Sequence, residues 1–216
     1  TMSGTNALLD IFLALVDPGD EVLLPEPYFP LYPPDVVICG GGPTLYPCRF
    51  ENGFVPAIED LEARVTDKTV AILYNFPSNP TGGNVTQKER DELLDFAERN
   101  DLWVITDEVY DRIVYDCEHV SFLGAGYDKV IMLNSFSKTF AMTGWRIGYI
   151  LSENPEAMAH ITKMQYYVTA CSNDAMQYAV LEAMEKASDY PAKMCEEFKG
   201  RRDQICERLN DMQGVS

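Results

Sequence analysis

Residues 69–110 decide the fold class, and they read TVAILYNFPSNPTGGNVTQKERDELLDFAERNDLWVITDEVY. The apolar runs at 69–74 and 102–106 are typical of strands that are buried on both faces of a sheet. Residues 86–100 between them have a helical period, with Thr86 as a candidate N-cap. A strand, a helix and a second strand in this order form a crossover between parallel strands. The stretch therefore predicts an α/β protein with a mainly parallel sheet.

The same alternation continues towards both ends of the chain. Further strands are predicted at 21–24, 36–39, 129–133 and 146–151, an extended segment at 44–50, and helices at 6–16, 56–65, 155–184 and 190–209. Glycines at 40–42 followed by Pro43 predict a turn. In a sheet of this kind, ligands bind at the carboxyl ends of the strands. Polar residues that directly follow a strand are therefore the candidates for a functional site.

Composition and charge exclude several classes of partner. The chain has 216 residues with 17 Lys and Arg against 34 Asp and Glu, a net charge of −17. Nucleic acids and anionic membranes bind cationic surfaces, so this charge argues against both. No apolar run reaches the ~18 residues that a membrane-spanning helix needs. The six cysteines form no C-x-x-C pair and there are only two histidines, so we expect no metal site and reduced thiols in a cytoplasmic protein.

Two charged clusters follow predicted strands. Lys138 lies among hydroxyl-bearing residues after strand 129–133, and Arg146 is eight residues further on. Hydroxyls and a guanidinium can bind a phosphate, whereas a solvated loop lysine is the ordinary alternative. Asp107 follows strand 102–106, where it can pair with a cationic ring nitrogen, a metal ion or the start of a helix. Tyr110 is one helical turn further and can face the same site.

Three other clusters are less specific when taken alone. Asn79 lies in a proline-rich loop at 75–83, which can aim its amide at a ligand or serve as a connecting turn. Residues 1–6 are small and polar before the first helix, which makes them an anion site or an ordinary N-cap. The aromatic segment at 26–32 can stack on a flat ring or belong to the core.

Together the five clusters supply an amine, phosphate donors, a carboxylate, a phenol, an amide and a stacking aromatic. This set fits a phosphorylated aromatic aldehyde with a basic ring nitrogen, which is pyridoxal phosphate. A Rossmann nucleotide site is the structural rival, but its G-x-G-x-x-G motif is missing from the sequence.

The sequence resembles the large domain of the fold-type I, class I/II pyridoxal-phosphate-dependent aminotransferases. Matching segments occur in the family's order and cover nearly the whole chain: SGTNAL at 3–8, PEPYFPLY at 25–32, NFPSNPTGG at 75–83, ITDEVY at 105–110 and SFSKTFAMTGWRIGY at 135–149. The resemblance implies a three-layer αβα sandwich whose mainly parallel sheet has one antiparallel strand. It also implies an enzyme that transfers an amino group between an α-amino acid and a 2-oxo acid.

The resemblance assigns roles to individual residues. Lys138 would form the Schiff base with the cofactor and move the proton in the 1,3-shift, and Asp107 would keep the pyridinium nitrogen protonated. Tyr110 and Asn79 would hydrogen-bond the phenolic oxygen, and Tyr28 would stack on the ring. The expected catalytic residues are Lys138, Asp107 and Tyr110. The expected phosphate ligands are Gly4, Thr5, Asn6, Ser135, Ser137 and Arg146.

Family members are longer than this chain. The resemblance therefore implies that residues 1–216 are a large-domain fragment without the N-terminal segment and most of the C-terminal small domain. Those parts carry the arginine for the substrate carboxylate and a residue that reaches the partner subunit's cofactor. We expect a homodimer for the full-length parent and weak turnover by this chain alone. Residues 169–173 are candidates for the substrate side-chain pocket.

Two other functions are compatible with the cofactor residues. A C–S β-lyase or a related lyase on the same scaffold would use them too, because the reaction depends on which Cα bond is aligned with the ring. A non-catalytic regulatory or dimerisation domain would need an effector module, and the sequence contains no DNA-binding segment.

Overall fold

The computed structural model describes residues 1–215, and its strands form one six-stranded sheet. The strands are β1 (Glu21–Glu26), β2 (Gly42–Pro47), β3 (Thr69–Asn75), β4 (Trp103–Asp107), β5 (Val130–Ser135) and β6 (Gly148–Ser152). Their order across the sheet is β2-β1-β3-β4-β5-β6. The first five run parallel, and β6 is antiparallel to β5. The predicted mainly parallel sheet with one antiparallel strand is confirmed.

Helices cover both faces of this sheet. They are α1 (Gly4–Leu15), α2 (Tyr32–Ile38), α3 (Ile58–Glu62), α4 (Gln87–Arg99), α5 (Phe136–Thr139), α6 (Pro155–Thr169), α7 (Asp174–Lys186) and α8 (Tyr190–Asn210). One core cluster joins α1, α2 and α6 to the sheet, through Phe12, Val36 and Ile161. A second cluster joins α3 and α4 to the sheet, through Leu61 and Phe96. The three-layer αβα sandwich is therefore confirmed.

The β3–α4–β4 unit forms as its sequence predicts. The Thr86 side chain accepts a hydrogen bond from the backbone N–H of Glu89 at 3.3 Å, and the Glu89 carboxylate accepts one from the backbone N–H of Thr86 at 2.7 Å. This capping box satisfies donors that the first turn of a helix leaves free. Leu93 and Ala97 are buried on the inner side of the helix, which packs it against the sheet.

The predicted strand at 36–39 is wrong, because these residues belong to α2 and to the residue that ends it. Pro33 and Pro34 occupy the first turn of this helix, where proline's missing N–H and fixed φ are tolerated. Val36 is buried, whereas Val37 and Ile38 are 58% and 69% exposed, which is the pattern of one buried helical stripe. The strand that follows is β2, so the predicted turn at 40–42 gives way to extended structure at Gly42.

The predicted helix at 155–184 is two helices, α6 and α7, separated by residues 170–173. Ala170 has a φ of +61°, which an α-helix cannot continue through, and the Asn173 side chain caps α7 by accepting from Met176 N–H. α7 and α8 each bury a single residue, Val180 and Pro191. Among residues 1–215, no helix combines the length and the apolar character that crossing a bilayer requires.

Candidate functional site

The carboxyl ends of β3, β4 and β5 meet the N-terminus of α1 around one cavity of about 140 Å³. A cavity of ~150 Å³ is large enough for a single aromatic ring. Its walls carry polar and charged groups as well as apolar ones. The lining residues are Ser3, Gly4, Thr5, Leu8, Phe29, Tyr32, Asn75, Asn79, Asp107, Val109, Tyr110, Ser135, Ser137, Lys138, Thr143 and Arg146.

Asp107 is the buried carboxylate of this cavity. Its Oδ2 accepts a hydrogen bond from the Tyr32 hydroxyl at 2.8 Å, and its Oδ1 accepts one from the backbone N–H of Val109 at 3.2 Å. The Asn75 side chain donates to the Asp107 carbonyl at 2.9 Å, across the paired ends of β3 and β4. Burial raises the pKa of Asp107 to about 6, and the Tyr32 hydrogen bond opposes that rise. At neutral pH the site therefore holds a mostly ionised carboxylate, ready for a cationic partner.

Lys138 lies on α5, immediately after β5. The Ser135 side chain caps this short helix by accepting from the Ser137 N–H at 3.1 Å, which turns the chain from strand into helix at the cavity wall. The Lys138 Nζ lies 5.5 Å from the centroid of the Tyr110 ring. A cation at this distance from the face of a phenol ring is stabilised electrostatically. The Lys138 amine therefore lies at the cavity beside the Tyr110 ring, on a residue that is partly buried.

A third group of residues makes one wall of the cavity an anion site. Gly4 and Thr5 begin α1, and the first N–H groups of a helix lack partners within it and carry partial positive charge. Arg146 reaches the same place: its Nη2 donates to the Ser3 hydroxyl at 2.5 Å and its Nη1 to the Thr143 carbonyl at 3.0 Å. With the Ser135 and Ser137 hydroxyls also on the cavity, the donor set fits a phosphate.

All but two of the site residues predicted from the sequence line this cavity. Asn6 instead accepts a hydrogen bond from the backbone N–H of Met2 at 2.9 Å, and half-buried Tyr28 packs against the core cluster under α1 and α2. The segment after Asp107 is a series of turns and not a helix, so Tyr110 reaches the cavity through a turn. The predicted roles of these residues stay predictions.

Sequence reasoning missed several lining residues, among them Ser3, Phe29, Tyr32 and Asn75. Asn75 had a usable signal in the sequence, because it directly follows the apolar run 69–74, and ligands bind where such strands end. Tyr32 was inside the quoted aromatic segment, but nothing local distinguishes it from Tyr28. Its place beside Asp107 depends on α2, which the sequence pattern predicted as a loop and a strand.

Other features of the described chain carry less chemistry. All six cysteines are unpaired. Within residues 1–215, no group of three or more His, Cys, Asp or Glu side chains has an arrangement that could hold a metal ion.

The cavity has the features of a site for a phosphorylated ring with a basic nitrogen, placed at the carboxyl edge of an α/β sheet. The family model for aminotransferase class I and II matches residues 1–216. The chain belongs to this family.

Individual relatives support the same conclusion. The chain is 37% identical to an aspartate aminotransferase of Thermotoga maritima over 98% of its own length and 56% of that protein. It is 38% identical to aromatic-amino-acid aminotransferase 2 of Thermococcus litoralis over 97% of its length and 55% of that protein. A solved structure of Thermus thermophilus aspartate aminotransferase with maleate matches at a TM-score of 0.93 and 33% identity, over 97% of this chain and 56% of that one. The chain thus spans about half the length of these relatives.

The family depends on pyridoxal phosphate, and the residues present here fit that cofactor. A carboxylate, a lysine amine and an anion site line one ring-sized cavity. These are the groups that a ring nitrogen, an aldehyde and a phosphate each require.

Proposed function

We propose that this chain is the cofactor-binding part of an aminotransferase, which moves an amino group between an α-amino acid and a 2-oxo acid with pyridoxal phosphate. The observation that carries the proposal is the meeting of Lys138, Asp107 and Arg146 on one cavity. The names of the relatives, which are aspartate, aromatic and alanine aminotransferases, support amino transfer over lyase chemistry.

Pyridoxal phosphate supplies, when bound, an electron sink for the negative charge that develops at the substrate Cα. Asp107 would hold a proton on the ring nitrogen, because an ionised and buried carboxylate favours a cation beside it. Lys138 would hold the cofactor covalently through its Nζ in the resting protein. The same Nζ, once released, would take the proton from the substrate Cα as a general base and give it, as a general acid, to the carbon that was the cofactor's aldehyde.

Binding and orientation would come from the other residues of the cavity. Arg146 and the N-terminus of α1 would neutralise the phosphate, with Ser135 and Ser137 as hydroxyl donors. Asn79 and Tyr110 would donate to the phenolic oxygen and so favour its anion. Such fixed anchoring lowers the entropy that the reaction must lose, because the ring cannot rotate away from the reacting bond. For Asn6 and Tyr28, the proposed contacts require side-chain movement towards the cavity.

The proposal also covers the whole protein. Residues 1–216 would be the large domain of a longer homodimeric enzyme, whose remaining segments bind the substrate carboxylate. The relatives' extra length supports this, since the chain matches only 56% of the first of them. A cytoplasmic location would suit its six unpaired cysteines.

The first experiment is an absorbance scan of the chain with added pyridoxal phosphate, followed by borohydride reduction and peptide mass mapping. We expect a visible band and cofactor mass on the peptide that contains Lys138. Lys138→Ala should lose both signals, whereas the matched control Lys163→Ala, which removes an exposed lysine on α6, should keep them. Labelling scattered over surface lysines and unaffected by Lys138→Ala would overturn the proposed cofactor site.

The reaction type is tested on a full-length protein that contains residues 1–216. Amino transfer should depend on an added 2-oxo acid and release no ammonia. Ammonia release from a sulfur-containing amino acid without any 2-oxo acid would instead identify a lyase.

A further inference from the structure

Asp107 has one side-chain partner, Tyr32, among the hydrogen bonds of the described chain. The two side chains are separated by 75 positions in the sequence, yet their oxygens lie 2.8 Å apart. Tyr32 is 1% exposed and Asp107 is 7% exposed. A hydrogen bond between such buried groups is shielded from water. If it were lost, water could not take its place, and a buried polar group would be left without a partner.

The Tyr32 hydroxyl is the donor in its hydrogen bond to the ionised Asp107 carboxylate. Burial is the main cause that raises its pKa well above its ordinary range, and the neighbouring Asp107 adds to the effect. The phenol is therefore protonated at neutral pH and available as a donor. Its ring is held edge-on against Phe29, with centroids 5.6 Å apart, which limits rotation away from Asp107. Nearby Tyr46 donates to the Leu73 carbonyl at 2.6 Å and does not compete for the carboxylate.

We propose that Tyr32 is a positioning residue for Asp107: its hydroxyl fixes Oδ2 in place and stabilises the ionised carboxylate over the protonated form. The consequence for catalysis rests on the proposed function, because only an ionised Asp107 could hold a proton on a ring nitrogen. The coupling between the Tyr32 and Asp107 side chains does not depend on the cofactor and can be measured without it.

Other charged groups around Asp107 do not account for its ionisation. Burial is the largest influence and raises its pKa, and the adjacent Glu108 raises it further. Tyr32 is the first of the influences that lower this pKa, ahead of the Val109 N–H and of Lys138. The Tyr110 ring, on the same cavity, contributes no hydrogen bond to the carboxylate among those of residues 1–215. Tyr32 is thus the main side-chain support for the charged form.

The test is a double-mutant cycle of Tyr32→Phe and Asp107→Asn, measured by urea unfolding at pH 5 and pH 8 without cofactor. A hydrogen bond to a charged group is strong enough to change the ratio of protonated to ionised carboxyl about tenfold. Because the wild-type pKa is about 6, Asp107 is protonated at pH 5 and ionised at pH 8. Tyr32→Phe should therefore lower the folding equilibrium constant about tenfold more at pH 8 than at pH 5. In the Asp107→Asn background its effect should be the same at both pH values.

A Tyr32→Phe effect that does not change with pH while Asp107 is present would overturn the inference, since a purely structural hydroxyl behaves that way. NMR titration of the ¹³C-labelled Asp107 carboxyl provides a second, direct measurement, and its pKa should be higher in Tyr32→Phe than in the wild type. An unchanged pKa would also overturn it.

Cofactor binding separates this inference from the proposed function. If the wild-type chain shows no pyridoxal phosphate on Lys138 but the effect of Tyr32→Phe on folding depends on pH, the proposed function fails. The role of Tyr32 in holding Asp107 then stands. If the wild-type chain binds the cofactor and the effect of Tyr32→Phe on folding is independent of pH, the proposed function stands and the inference about Tyr32 fails.

Discussion

Gly148 closes the contact between β6 and the start of α1, and replacing it with alanine tests how the anion wall is built. A Cβ at this position would lie 2.7 Å from the Ser3 carbonyl carbon, 2.8 Å from the Gly4 nitrogen and 2.8 Å from the Asn134 oxygen. All three atoms belong to the backbone, so no side-chain rotation can relieve the clash. The strand and the helix must move apart.

Two effects follow from that movement. Overpacking of a well-packed core costs about 1–3 kcal/mol of unfolding free energy. The displacement also separates Gly4, at the helix N-terminus, from Arg146, whose guanidinium is held by Ser3. Losing part of the helix-terminus contribution, ~1 kcal/mol, corresponds to about fivefold weaker anion binding.

The assay is urea unfolding of Gly148→Ala, with and without pyridoxal phosphate, together with a binding titration. Gly144→Ala is the matched control, because it lies in the adjacent turn and a Cβ there has no atom within 4 Å. We expect the control to match the wild type in both measurements. Wild-type stability and affinity in Gly148→Ala would show instead that the β6–α1 contact adapts to the added Cβ.

Three further predictions concern stability. Asp10 is fully buried, and this burial raises its pKa from 3.8 to about 6, against the opposing effects of the positively charged N-terminus and of the Asn6 side chain. The folded chain thus binds this proton more tightly than the unfolded chain, so the unfolding free energy falls as the pH rises from about 4 through 6. The variant Asp10→Asn should therefore be more stable than the wild type by about 1–2 kcal/mol at pH 8 but not at pH 4. Chemical unfolding at the two pH values measures this difference. Thr86→Ala should lower the unfolding free energy by ~1 kcal/mol in a urea titration, because the capping box with Glu89 is lost, and an unchanged midpoint would contradict that role. Glu108 accepts hydrogen bonds from four donors and holds the segment after β4. Glu108→Gln should therefore lower the unfolding free energy by about 2–3 kcal/mol, whereas the control Glu118→Gln, at an exposed position, should leave it unchanged. Equal effects of the two substitutions would show that the buried carboxylate is dispensable.

Local sequence was sufficient where one segment contains the whole physical cause of its structure. The β3–α4–β4 unit is such a case, since two continuous apolar runs and a capping box at Thr86 and Glu89 specify it without help from other elements. The same holds for Lys138 and Asp107. Asp107 ends β4 and Lys138 lies three residues after the end of β5, and parallel strands bring their carboxyl ends to one edge of the sheet.

Local sequence was insufficient to predict secondary structure where a strand and a helix would show the same pattern of apolar residues. Residues 36–39 form a short apolar run, and the spacing of apolar residues in such a run does not distinguish a strand from a helix. Packing decided it, because burying Val36 beside Tyr32 requires the helical spacing of four residues. The division of 155–184 depends likewise on where Ala170 turns, and no strong breaker such as proline marks that point in the sequence.

The family, the α/β sheet and most of the residues on the cavity were predictable from the sequence, because they depend on motifs and on the ends of strands. Which groups contact one another depends on how the strands and helices pack. The bond between Tyr32 and Asp107 joins residues 75 positions apart, and the contact between Arg146 and Ser3 spans 143. Hydrogen bonds of this kind depend on distances of a few tenths of an ångström between elements, and the packing of the sheet and helices sets those distances.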